Sequence, residues 1–234
     1  MKKVLLLSSL LFSTQTFSAE LQCPKSYENF KKIQEEGLNV VRNGTNDEIQ
    51  AFSDRYDYSM LFKNNHLGQS YLIDNWIDEN VAKLSLLIMV SSIKNGETEI
   101  VNYTLNELKA NFISSIGEVC VVPMQSTSIY FDEESTTSAD VIFIRDLNSN
   151  QWRLFTYYGS EKKEDFHEFF PDFPKSVKLS ASSTTYKSGN NLTSIDYAKI
   201  VYKKMGIDIP QEVLTELQKK QEETKLRREM NGFN

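Results

Sequence analysis

Histidine is almost missing from this chain of 234 residues, with only His66 and His167, and cysteine is as rare, with only Cys23 and Cys120. His167-Glu168 has no second histidine at zinc-protease spacing, so that metal chemistry is excluded by composition. Nine glycines never cluster into a phosphate-cradling loop, and no serine sits in a Gly-x-Ser-x-Gly elbow. Asp132-Glu133-Glu134 reads as an acidic turn, and the ligand spacing of a calcium loop is lacking around it. Basic charge is also short. With 26 Lys and Arg against 32 Asp and Glu, the net charge is −6, the opposite of the footprint that phosphate backbones require. Beyond the first dozen residues the longest apolar run is Leu84 to Val90, too short for a membrane span.

The beginning of the chain carries the clearest address. Met1-Lys2-Lys3 followed by an apolar stretch from Val4 to Phe12 has the form of a secretory signal, and small residues at Thr16 and Ser18 favour cleavage after Ser18. Residues 1–18 are therefore expected to be removed, taking two lysines with them and leaving a formal charge of −8 on a periplasmic or secreted protein. In an oxidising compartment two cysteines are expected to pair. A Cys23–Cys120 disulfide closing about 98 residues would stabilise the fold by ~4–5 kcal/mol and staple the first helix to the sheet. A nucleophilic Cys120 served by His66 or His167 is the weaker reading, because neither histidine has a motif around it.

Local patterns supply the elements. Pro24 to Arg42 carries Tyr27, Phe30, Ile33, Leu38 and Val41 near helical spacing, and Asn43-Gly44 stops it. Asn46 is placed as the cap of a second helix from Asp47 to Tyr56, and residues 56–68 read as irregular. A short helix over Ser70 to Glu79 would set Asp74 and Asp78 one turn apart, a spacing at which two carboxylates can share a proton or merely tolerate one another. Leu84 to Ile93 is ambiguous between helix and strand. Asn95-Gly96 tips it towards a hairpin whose return strand is Glu99 to Leu105. Asn106 to Ile116 reads as a helical turn or two.

The centre of the chain is the stretch from Gly117 to Gly159, read as strands Glu118–Phe131, Ala139–Asp146 and Gln151–Tyr158. The last two are joined by the turn formers Leu147-Asn148-Ser149-Asn150. Trp152, Leu154, Thr156 and Tyr158 share one face, Arg153, Phe155 and Tyr157 the other, and neither face is polar, so a sheet covered on both sides is expected. Phe166, Phe169, Phe170 and Phe173 are expected to plug one end of it after a short helix from Glu161. Val177 to Tyr186 reads as an edge strand. Thr193-Ser194-Ile195-Asp196 opens a helix ended by Gly206, and a last helix from Pro210 becomes almost wholly charged beyond Gln218. That end is expected to be held by little packing.

Helices first and then an antiparallel meander rich in aromatics imply an α+β class: N-terminal helices packed on a curved antiparallel sheet, followed by C-terminal helices. The arrangement is loosely similar to cystatin-like and nuclear-transport-factor-2-like architectures. The resemblance covers layout only and implies no function. Residues 19–190 are read as one α+β domain and 191–234 as a helical extension with a charged end.

With no catalytic residue, metal ligand or cofactor motif assigned, and no binding residue identified, the expected function is a non-enzymatic exported binding protein. It would be of inhibitor or immunity type, or would hold a small apolar ligand in the mouth of the sheet. Its partner would be another exported protein or that ligand, with no nucleic acid and no membrane after signal cleavage. The competing expectation is a hydrolase or isomerase with an acid–base pair, His66 with Asp74 or His167 with Asp165, in the cavity of the sheet.

Overall fold

In the computed structural model, residues 20–62, 90–130, 133–189, 193–204 and 206–233 are described. The signal segment, His66, the Asp74/Asp78 pair and residues 84–89 lie outside them. The chain folds as α+β, with helices on a curved six-stranded antiparallel sheet.

A 3-10 turn at Cys23–Lys25 precedes α1 (Tyr27–Asn43), which buries Phe30 and Ile33. The predicted single helix from Pro24 is thus broken at Ser26. α2 (Asn46–Tyr56) starts one residue earlier than expected because Thr45, not Asn46, is the cap. The Thr45 hydroxyl accepts from the Glu48 N–H while the Glu48 carboxylate accepts from the Thr45 N–H. A 3-10 segment, Tyr58–Phe62, follows.

Asn95-Gly96 does not turn a hairpin. Residues 90–94 are helical, and the Glu97 N–H donates to the Ser92 carbonyl while the Gly96 N–H donates to that of Ile93. Gly96, at φ 73°, is therefore the left-handed residue of a Schellman helix end. Both structures need a residue at positive φ, so local sequence could not separate them.

The sheet is built on one long hairpin, β3 (Gly117–Tyr130) with β4 (Glu133–Arg145), in continuous register from Glu118 opposite Arg145 to Tyr130 opposite Glu133. β4 begins six residues before the expected start, and Glu133 and Glu134, read as turn, belong to it. Each long strand has two short partners in tandem. β1 (Thr98–Leu105) lies against Met124–Tyr130 of β3, and β2 (Ala110–Ser114) against Gly117–Val121. β2 replaces the helical turns expected over Asn106–Ile116. On the other side β5 (Trp152–Tyr157) pairs with Asp140–Arg145, and the edge strand β6 (Ser183–Tyr186) with Ser135–Ser138.

Strand alternation sorts the inner half of the sheet into two cores, as expected of a sheet covered on both faces. On one face Val119, Val121, Ile142, Ile144, Phe155 and Tyr157 are covered by Tyr58 and by α3 (Lys163–Phe169) with its trailing Phe170 and Phe173. The four phenylalanines after β5 therefore lie on a face and do not plug an end. On the other face Cys120, Val122, Val141, Phe143 and Trp152 meet Phe30 and Ile33 of α1 and Tyr56 of α2. Cys23 and Cys120 are joined in a disulfide, both fully buried, with Cα atoms 6.0 Å apart. It ties the 3-10 turn ahead of α1 to β3.

The Thr193–Asp196 capping box opens α4 (Ser194–Lys204), and Pro210 caps α5 (Gln211–Met230). The charged end of α5 is anchored, against expectation. Phe233 meets the Tyr157 ring, and the Asn231 amide donates to the carbonyls of Gly159 and Glu161.

Candidate functional site

Neither apolar cluster reaches past Met124 on β3 or Val141 on β4. The outer half of the hairpin, with β6, is rich instead in hydroxyl side chains. Thr127, Thr136 and Thr185 form one cross-strand row, and Gln125, Ser138 and Ser183 the next row on the same face. On the opposite face Ser126, Thr137 and Thr184 are aligned, with the hydroxyls of Thr137 and Thr184 hydrogen-bonded at 2.9 Å. β-branched threonine suits extended backbone, so these residues hold the strands without contributing an apolar core. Thr184, Thr185 and Gln125 are exposed, and Val101 on the neighbouring β1 is 53% exposed. At the tip, Lys187 pairs with Glu134 at 2.8 Å and the Ser188 N–H donates to Glu133. The result is a polar sheet surface at Gln125, Ser183, Thr184 and Thr185, with Ser128 and Ser135 of the same hairpin buried.

Where the two halves meet, three side chains from distant elements converge. Asp140 of β4 is 1% exposed, and its Oδ2 accepts from Lys109 Nζ and from the Ser180 N–H, each at 2.6 Å. Lys109 Nζ also donates to Ser180 Oγ at 2.9 Å. Asp140 Oδ1 is buried without a hydrogen-bond partner among the described residues. Chemically this is a clamp: a buried carboxylate holds an ammonium and the chain at Ser180. An ammonium that donates to Ser180 has no lone pair with which to take the serine's proton.

A second buried network secures the N-terminal segment. Glu118 Oε1 accepts from the backbone N–H groups of Gln22 and Cys23, and its other oxygen pairs with Arg145 at 2.6 Å. Arg145 in turn donates to the Glu20 carbonyl and to Asn150, and its guanidinium lies 5.8 Å from the Trp152 ring. Every acceptor of a fully buried carboxylate is thereby engaged, which is what makes such burial tolerable.

Among residues singled out from sequence, Cys23 and Cys120 are brought together, and Trp152 is 6% exposed within the core. His167 is exposed on α3, whose buried residue is Phe169. Two open hollows lie on the surface of the described residues, and His167 lines neither of them. One, of about 500 Å³, is lined by Pro24, Tyr27, Leu105, Asn106, Glu107 and Leu108. The other, of about 310 Å³, lies along the end of α4 at Tyr202 to Ile209. No group of three or more metal-ligating side chains occurs among the described residues, and no helix there is long and apolar enough to cross a membrane. Sequence reasoning missed Lys109, Ser180 and Glu118. The available signal was an acid inside an apolar strand, Asp140 between Ala139 and Val141, because a buried carboxylate demands partners. No family model, no curated protein and no solved structure matches this chain.

Proposed function

We propose that this is an exported binding protein, periplasmic or secreted and without catalytic activity, whose partner is another exported protein and whose docking surface is the hydroxyl-rich outer half of the β3–β4 hairpin. The observation that carries the reading is the division of the sheet. Its inner half is filled on both faces by aromatic side chains, and its outer half presents ordered rows of Ser and Thr between Tyr130 and Tyr186. A rigid strand framework carrying Tyr, Ser and Thr offers adaptable hydrogen bonding at little conformational cost, the property that paratopes exploit. The aromatic filling of both faces of the inner half favours a protein partner over that ligand. The buried disulfide and the signal-like beginning of the sequence support export.

The test is affinity capture from an exported fraction with the wild-type chain and with a Thr136→Lys/Thr185→Lys variant. One stoichiometric partner, lost in the variant while the melting temperature is unchanged, is the expected result. A partner retained by the variant moves the surface elsewhere, and turnover of a small molecule by the wild-type chain overturns the binding reading.

A further inference from the structure

Of the buried carboxylates on β3 and β4, only one is answered at both oxygens. Glu118 receives backbone N–H groups on one oxygen and Arg145 on the other. Asp140 is as deeply buried, yet both of its donors fall on Oδ2, where Lys109 Nζ and the Ser180 N–H each lie at 2.6 Å. Its Oδ1 is out of contact with water and has no donor among the described residues. An ionised carboxylate with one oxygen left in that state is costly to keep. The cost is removed if the pair reacts.

We propose that Lys109 and Asp140 condense into an isopeptide bond, Nζ to Cγ, a second covalent cross-link of the sheet besides the disulfide. One ammonium proton passes to the carboxylate, which frees the lone pair on Nζ for attack on Cγ. The Nζ–Cγ bond forms, the Cγ–Oδ1 bond breaks, and Oδ1 leaves as water with that proton and a second one from the nitrogen. Ammonium and carboxylate become one secondary amide and one water, so no oxidant or outside reagent is needed. The Ser180 N–H, fixed on Oδ2, is placed to steady the charge that gathers on that oxygen during attack. The Lys109 side chain is 28% exposed, which leaves the water a way out.

The product satisfies what the ion pair does not. Oδ2 stays as the amide oxygen on the Ser180 N–H, the unanswered Oδ1 is the atom that departs, and the remaining N–H faces Ser180 Oγ, 2.9 Å from Nζ. Both charges vanish from a site where the carboxylate cannot be hydrated. The backbone already brings the two residues together. The N–H groups of Asn106 and Lys109 donate to the carbonyls of Pro123 and Val121, and Pro123 lies opposite Asp140, so the bond closes over β3 and joins the approach to β2 with β4. The reading is independent of the docking surface on the outer sheet. In an exported chain it adds a tie that reductants do not open.

The test weighs the full-length exported chain, unfolded, before and after reduction. The bulk of the sample is expected to be lighter than the processed sequence by one water, a deficit that persists when the disulfide is reduced. Between Lys94 and Arg145 the only trypsin site is Lys109, so the reduced chain should release residues 95–145 as one uncut peptide lacking a water. Chymotrypsin should then turn it into a branched peptide that joins the Lys109 and Asp140 fragments. Lys109→Arg keeps a cation beside Asp140 but forms no such amide, and its mass should show no deficit. A wild-type chain at full mass, even after prolonged incubation at neutral pH, overturns the proposal. A water deficit that Lys109→Arg retains, or that the digest places on other residues, overturns it as well.

Discussion

Phe30 of α1 lies flat on Phe143 of β4, with ring centroids 3.9 Å apart and planes 10° from parallel, and Trp152 meets Phe30 edge-on at 4.8 Å. One residue from each of three elements makes this contact, so it couples the first helix to the sheet. Trp152→Ala and Phe30→Ala are each expected to cost ~3–5 kcal/mol, and their sum should exceed the cost of the double variant, as for neighbours in one cluster. Urea unfolding of the three variants checks this. An unchanged midpoint for Trp152→Ala would place that residue outside the core energetics.

The Glu118–Arg145 pair is buried on both sides, so removing one partner leaves a charge uncompensated. Arg145→Met alone should cost ~3–5 kcal/mol, and Glu118→Leu/Arg145→Met much less than the sum of the singles. Additive penalties in a double-mutant cycle would mean that the two groups are not coupled.

Cys23 and Cys120 are both inaccessible, so the thiols should resist alkylation until the chain is both unfolded and reduced. Intact mass should be two hydrogens below that of the reduced sequence. Replacing both by Ala should lower stability by ~4–5 kcal/mol in the chain-entropy account. Free thiols in natively exported protein would sink the prediction.

Burial holds the Glu161 carboxyl above its ordinary value of 4.5, in spite of the N–H groups that Tyr158 and Gly159 donate to it. A carboxyl raised in the folded state gives its full stabilisation below its unfolded pKa and loses it as pH rises through the folded one. The penalty of Glu161→Ala should therefore be largest in acid and shrink as pH rises from 4.5 through the raised value. Unfolding of both chains at about pH 4 and about pH 7 tests the sign. A penalty that grows with pH would show that the hydrogen bonds to the carboxylate outweigh its burial.

The tail supplies the sharpest departure from the sequence reading. With only Leu226, Met230 and Phe233 as apolar residues, truncation after Lys219 is expected from sequence to cost less than about 1 kcal/mol. The two hydrogen bonds of Asn231 and the half-buried Phe233 raise the expected cost of deleting residues 231–234 alone to about 2–3 kcal/mol. A melting temperature unmoved by that deletion would show that the tail is held by little packing.

Sequence by itself determined what depends on neighbours in the chain. The stripe of α1, the alternation of β5, the Thr193–Asp196 cap and the pairing of the only two cysteines were all legible because each is a short-range pattern or a forced choice. Ambiguity began where one local signal serves two structures. Asn95-Gly96 meets the same positive-φ need in a helix end as in a hairpin, and only the helix before it, with β1 pairing to β3 instead, decides between them. The polar clusters were illegible for a different reason. Lys109, Asp140 and Ser180 are 31 and 40 positions apart, and Asn231 finds its carbonyls 70 and 72 positions back. No periodicity links such residues. The demand of a buried polar group for a partner can be read from one residue, but which residue answers it is settled only when the tertiary fold closes the distance.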